Sequence, residues 1–171
     1  MDSIARFYAN SSPFAEGGEV DNCLGWKVGY LENVFARQIR GISGVTYLFS
    51  DQFKCKKNHS QITYGCNCGF YSFKKEHNAV DLKSLNRNLI VFQVEHYGEI
   101  FEFEDGYISE EQDVTGIKIG DKCAKRFCKE KTVAMTFTKK FFIPTCKKHT
   151  DGLMYSLSEL SLLLDMPVTL L

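Results

Sequence analysis

Six of the seven cysteines in this 171-residue chain fall into two compact groups, each with one histidine. The first comprises Cys55, His59, Cys66 and Cys68; the second comprises Cys123, Cys128, Cys146 and His149. Thiolate and imidazole are the common structural ligands of tetrahedral zinc, which takes four of them. Two such sets confine a short chain to a few loop geometries, and so constrain the fold more than any hydrophobic run does. In a reducing compartment, cysteines grouped with histidines point to metal rather than to crosslinks.

The two sets differ in construction. Cys66-Asn67-Cys68-Gly69 offers two ligands from one tight turn, in which Gly69 permits a positive φ or close backbone approach. Cys55 and His59 supply the other pair from the opposite side of a loop. In the second set Cys146 and His149 are separated by two residues and Cys123 and Cys128 by four, spacings suited to paired ligand loops. Three thiolates and a neutral imidazole around a divalent ion leave roughly one net negative charge. Lys54, Lys56, Lys57, Lys147 and Lys148 stand beside the ligands and can offset it. Neither set spares a position for water, so two structural Zn²⁺ ions are expected, and the spacing does not match the common mixed-ligand iron–sulfur signature. Cys23, without a ligand neighbour, reads as a core thiol.

Strand signals dominate the rest, as 14 Phe and 8 Tyr would favour. Trp26, Val28 and Tyr30 alternate with Lys27 and Gly29, the pattern of a strand with an aromatic face. A brief helix is expected over Glu32 to Ile39, ended by Gly41, then strands over Val45 to Phe53 and Phe70 to Phe73. Lys74 to Asn88 reads as a short exposed helix or a loop. Leu89 to Val94 and Glu99 to Glu104 read as two strands around Gly98, with a turn at Asp105-Gly106, giving a β-meander over about 89–119. Val133, Met135 and Phe137 alternate with Ala134, Thr136 and Thr138 as in another strand. Ser156 and Glu159 have the spacing of a capping box ahead of a stripe of Leu157, Leu160, Leu163 and Leu164, closed by Pro167. The expected fold is therefore α+β and β-rich: a small antiparallel sheet or meander, two zinc-binding loop groups and a C-terminal helix. One compact domain over 1–171 is expected, with candidate sub-lobes at 23–119 and 120–171.

The formal net charge is zero, so no global field draws the chain to nucleic acid or an anionic membrane. Charge is nonetheless segregated. Glu95 to Asp113 holds eight acidic side chains and no Lys or Arg, whereas Lys118 to Lys131 holds six basic against two acidic. The acidic segment suits a basic protein partner; Lys122, Lys125, Arg126, Lys129, Lys131, Lys139 and Lys140, interleaved with Phe127, Phe137, Phe141 and Phe142, form a candidate strip for single-stranded nucleic acid. The leucine stripe leaves self-association open. No run approaches 18 apolar residues, which argues against a membrane span, and the first residues show no secretory signal, so a cytoplasmic location is expected, the nucleus included. The sequence carries no Gly-x-Ser-x-Gly elbow, His-Glu-x-x-His helix, phosphate-cradling loop or zinc-deaminase signature, and a binding role is expected over catalysis. His77 reads as solvent-facing, and His96 as a surface, core or pocket residue.

The residues Cys55, His59, Cys66-Asn67-Cys68-Gly69-Phe70-Tyr71-Ser72, Val94, Tyr97-Gly98-Glu99-Ile100 and Gly106-Tyr107-Ile108-Ser109-Glu110 together resemble a loosely defined family of uncharacterised microbial cytosolic proteins. That family has a histidine-bearing first ligand group, a Cys-x-Cys-Gly-aromatic turn and a later Gly-Tyr-Arg-Ala-Glu-like segment. The resemblance spans about residues 26–119 and implies metal ligands and a soluble location, with no activity attached. Ile108 and Ser109 stand where the family has Arg and Ala, and no proline lies between His59 and Cys66.

Overall fold

The computed structural model describes residues 23–55, 58–59, 61–62 and 68–171. Within them the fold is α+β and β-rich. Its strands are β1 (Cys23–Asn33), β2 (Gln38–Gly41), β3 (Thr46–Leu48), β4 (Ser50–Gln52), β5 (Phe70–Phe73), β6 (Ile90–Glu102), β7 (Gly106–Ile119), β8 (Ala134–Phe137), β9 (Phe142–Thr145), β10 (Met154–Ser156) and β11 (Val168–Leu170); the helices are α1 (Glu76–Ser84) and α2 (Leu157–Leu164). All strands belong to one sheet, antiparallel except where β11 runs parallel to β7.

Four strands close on themselves. β1 pairs with β6 from Cys23↔His96 to Gly29↔Ile90, β6 with β7 along most of its length, and β7 with β5 from Phe70↔Ser109 to Phe73↔Gly106. β5 then returns to β1 through Trp26↔Phe73. The alternation in β1 decides which side chains enter the ring and which leave it. Trp26, Val28 and Tyr30 turn outward and pack with Val91, Leu89 and Ala79 of α1. The opposite face continues into the main core of Leu31, Ile39, Ile90, Phe92, Val94, Ile117, Ile119, Met135, Phe142, Leu160 and Leu164. Pairing of β9 with β1 at Leu31↔Phe142 and of β11 with β7 carries the sheet across residue 120, from the first ligand group's half of the chain into the second's.

Local polar chemistry accounts for several departures from the sequence expectations. The helix expected over Glu32 to Ile39 is instead a turn between β1 and β2: the Asn33 carboxamide oxygen accepts from the backbone N–H groups of Phe35 and Ala36, each at 3.0 Å, and Arg37 takes a positive φ of 49°. An asparagine at that point offers the backbone an alternative to helical bonding. The strand expected from Val45 to Phe53 is interrupted at Phe49, where the chain leaves β2 as partner and joins β7. Gly98 separates nothing. β6 passes through it as one strand with a bulge between Tyr97 and Ile100, so the expected meander is one long hairpin with β7. In β8 the expected alternation fails because Ala134, Met135 and Thr136 are all buried, the Thr136 hydroxyl bonding that of Thr145 at 2.6 Å.

α2 follows its sequence signals closely. The Ser156 hydroxyl accepts from the Glu159 N–H, the Glu159 carboxylate accepts from the Ser156 N–H, and Asp165 ends the helix in the left-handed region. Leu160 and Leu164, one turn apart, are fully buried in the main core, whereas Leu163 is partly exposed. Leu160→Ala is expected to lower stability in urea by about 2 to 5 kcal/mol without changing sedimentation, since it empties a packed site rather than an interface.

Candidate metal centres

The second ligand group comes together from three places. Cys123 follows β7 and Cys128 lies in a turn beyond it. That loop is closed by a bridge between Lys122 and Lys131 and by bonds from Cys123 N to Glu130 O (2.9 Å) and Ala124 N to Pro144 O (2.8 Å). Cys146 and His149 leave the end of β9 in a single turn, with His149 N donating to Cys146 O at 2.8 Å. Cys123 Sγ and Cys146 Sγ lie 3.4 and 3.3 Å from His149 Nδ1, and Cys128 Sγ lies 3.8 Å from Cys146 Sγ. All four ligand atoms stand within 4.8 Å of one another. A tetrahedral zinc with ordinary bond lengths would place its sulfur pairs about 3.8 Å apart and its sulfur–nitrogen pairs roughly 3.6 Å apart. The cluster can therefore chelate one ion with little movement.

Its electrostatics favour the metal-binding thiolate at Cys146 and oppose it at Cys128. Burial opposes a charged Cys146 sulfur, yet the backbone N–H of Lys148, the Cys128 and Cys123 sulfurs and the backbone N–H of His149 outweigh it and lower the Cys146 pKa. Cys128 is shifted the other way: the Glu130 N–H favours its thiolate, but burial and the neighbouring Cys146 and Cys123 sulfurs prevail. Two thiolates this close repel each other, and a cation between the sulfurs relieves that. Lys148 is drawn into an ion pair with Glu130 at 3.2 Å.

The first group is assembled from the loop after β4 and the residues just before β5. Cys55 follows β4, and Asn58, at a positive φ of 58°, returns its N–H to the Cys55 carbonyl at 3.0 Å. Cys68 Sγ lies 4.0 Å from His59 Nδ1, and Cys55, His59 and Cys68 present ligand atoms within 4.8 Å of one another. Cys66 lies outside the described residues. Gly69 has φ 96°, and a Cβ there would stand 2.7 Å from Ile108 Cγ2 and 2.9 Å from Ser109 O, so the turn after Cys68 requires glycine. Behind the ligands is a small apolar cluster of Ile62, Cys68, Phe103 and Ile108. Cys23, read as a core thiol, is buried in β1 away from both groups.

His96 is a core residue and His77 is exposed. Lys122, Lys125, Arg126, Lys129, Lys131, Lys139 and Lys140 are all exposed and lie on two segments: Lys139 and Lys140 in the β8–β9 turn, the others along the loop that carries Cys123 and Cys128. The interleaved aromatics do not form a continuous platform. Phe142 is buried, Phe141 stacks on Tyr30 with ring centroids 4.5 Å apart, Phe137 is 39% exposed and packs against Phe142, and Phe127 is 83% exposed. Beside Phe127 runs a groove of about 550 Å³ lined by Leu85, Asn86, Arg87, Ala124, Arg126, Phe127 and Lys129. Arg87 bridges to the metal loop, Nη1 donating to the Cys128 carbonyl at 2.8 Å. It lies 41 residues before that partner, and no local sequence signal could have joined the two.

No family model, curated protein or solved structure matches the chain. Among the described residues no helix is long and apolar enough to cross a membrane.

A second groove, of about 630 Å³, runs where the β1–β2 turn, β6, β7 and the end of α2 meet. Glu95 and Asp113, directly paired across β6 and β7, join Asp165 on its wall beside Phe35, which is 71% exposed. Tyr97 donates its hydroxyl to Glu95, which raises the Tyr97 pKa to about 12 with help from burial and from the Glu95 and Asp113 charges.

Proposed function

We propose that this chain is an interaction module whose loops are set by two structural Zn²⁺ ions, with Cys123, Cys128, Cys146 and His149 around one and Cys55, His59, Cys66 and Cys68 around the other. The carrying observation is the second cluster: three sulfurs and an imidazole nitrogen converge at tetrahedral spacing from two separate loops. Zinc held by four protein ligands fixes a loop and leaves no open position for a reacting group. Elemental analysis of protein purified under reducing, chelator-free conditions is expected to return close to two zinc per chain, and a near-zero metal content would end the reading.

Three carboxylates against the single cation Arg37 line the second groove, and that balance favours a basic protein segment as the partner of this module. Glu95 and Asp113 are like charges placed side by side, an arrangement that a Lys or Arg from outside relieves, and exposed Phe35 offers a face for its alkyl stem or cation. Titration with a Lys/Arg-rich peptide is expected to show salt-sensitive binding that falls at least several-fold in Glu95→Gln/Asp113→Asn. Sedimentation at the same ionic strength separates a foreign partner from a second copy, and unchanged affinity in the double variant would remove the groove from consideration.

A further inference from the structure

We infer that the groove between the end of α1 and the second metal loop binds an unpaired nucleic-acid strand, one base stacking on Phe127 and the backbone phosphates meeting Arg87, Arg126 and Lys129. This rests on the reading of that loop as zinc-held, and it names a ligand for the basic side of the module.

Phe127 is the starting point. It is 83% exposed, contributes to no core cluster, and sits at φ 64°, a conformation that an aromatic residue adopts only at a cost. Glycine would suit the backbone there better. An aromatic ring held in water on a strained backbone does nothing for the fold, and such outliers concentrate where a ligand is met. The Arg126 guanidinium lies over one face of the ring, 4.7 Å from its centroid, so a base would stack on the opposite face.

The walls supply the rest of the chemistry. Three cations and no carboxylate line the groove, and Leu85, 80% exposed at the end of α1, adds an apolar edge opposite the metal loop. Lys122, Lys125 and Lys131 extend the positive field along the same loop. Phosphate charge and a stacking base answer both features together, whereas an acidic peptide answers only the charge. Asn86, the neutral polar side chain of the groove, is already engaged at both ends: its Nδ2 donates to the Tyr30 hydroxyl at 3.2 Å and its Oδ1 accepts from Asn88 N at 3.0 Å. These bonds fix the carboxamide and leave one N–H and one oxygen lone pair, and nothing in the groove's lining selects for or against a 2′-hydroxyl, so DNA and RNA strands are both tested.

The test is anisotropy of a labelled dT strand and a labelled rU strand of about twelve nucleotides with the full, zinc-loaded chain, the zinc content of each sample being measured alongside. The two strands are expected to bind with similar affinity, with log K falling against log salt at a slope of about −2, from three phosphate contacts. Phe127→Gly is expected to weaken binding by roughly ten- to a hundred-fold while leaving the unfolding midpoint unchanged or higher, so lost affinity cannot be ascribed to misfolding. Arg126→Gln/Lys129→Gln is expected to flatten the salt dependence. Absence of low-salt binding in samples that retain two zinc overturns this inference and leaves the zinc reading standing; samples without zinc overturn the zinc reading itself. Binding unaffected by Phe127→Gly, or matched by a poly-Glu peptide of equal charge, also overturns the inference, the latter result in favour of an acidic protein ligand.

Discussion

Cys146→Ser is expected, on the two-zinc reading, to reduce zinc from about two ions per chain to about one and to destabilise the fold at least as much as a typical core truncation. Cys146 lies at the end of β9, almost fully buried, and its sulfur stands next to both Cys128 Sγ and His149 Nδ1. β9 is held by β8 and touches β1 at Leu31↔Phe142, so the loop that Cys146 anchors is continuous with the main core. Binding of structural zinc is worth about 10 to 16 kcal/mol in isolated finger peptides, as much as the whole stability of an ordinary domain of about 5 to 15 kcal/mol. Part of that is offset here because β8, β9 and α2 bury apolar surface of their own. A loss of at least roughly 4 kcal/mol is still expected, since the serine leaves two thiols and an imidazole crowded without a cation. Denaturant midpoint and elemental analysis on one preparation check both halves; an unchanged midpoint would show that these ligands hold nothing on which the fold depends.

The second large effect is with acid. His96 is 1% exposed at the centre of the four-strand ring, its Nδ1 2.6 Å from Ser109 Oγ and its Nε2 2.5 Å from Ser72 Oγ. Ser109 donates its only hydroxyl proton to the Glu111 carbonyl at 2.8 Å and must therefore accept from Nδ1–H. Nε2 is then the acceptor, and Ser72 donates to it. Gly25 of β1 completes the arrangement, because a Cβ there would overlap Ser72 and lie 2.7 Å from His96 Nε2. A second proton on Nε2 would force Ser72 to turn its hydroxyl from donor to acceptor. Burial first, and the nearby Lys27 charge second, lower the His96 pKa to about 3. In the unfolded chain the imidazole takes its proton near pH 6.5. Between these values the unfolded state binds more protons, so stability falls as the pH drops from about 6.5 toward about 3. A difference of this size corresponds to about 5 kcal/mol at most. His96→Gln, which can still donate and accept, is expected to lose some stability at pH 7 and to flatten the decline below pH 6. A variant that keeps the full wild-type slope would assign acid sensitivity to the thiolates instead.

Lys27 works in the opposite sense to a surface lysine. It shares the buried face of β1 with Gly25, bonds Gln112 Oε1 at 2.6 Å and faces the rings of Tyr47 and Phe70 at 4.5 and 5.1 Å. Burial lowers its pKa to about 7 against the pull of Asp51. Alternation marked Lys27 as the polar partner of an aromatic strand face, and by that rule it should have faced water. Ring closure decided otherwise: β5 and β7 cover the face that an open sheet would have exposed. Nothing within β1 announces a closure made by strands dozens of residues away. The same holds for Asn33, whose turn displaced an expected helix, and for β8, where Thr136 is buried because Thr145 meets it across the ladder. Local signals carried furthest where the chemistry itself is local, as in the Ser156–Glu159 capping box, the positive φ at Gly69 and the Cys146–His149 turn. The groove beside Phe127 was out of reach for the opposite reason, since Arg87 and Leu85 approach the metal loop only in the folded molecule.

One long edge of β7 is completed piecemeal, by β5 at Phe70–Phe73, by β4 at Ser50–Gln52 and by β11 at Val168–Leu170. During synthesis the stretch near Ile117 therefore waits for a companion that emerges about fifty residues later, after the entire second ligand loop has left the ribosome. Until then it presents bare amides to any passing strand, including one from a neighbouring nascent chain. On the zinc reading proposed above, slow capture of metal by that loop would lengthen the wait, so yield in a zinc-poor cell should fall through aggregation.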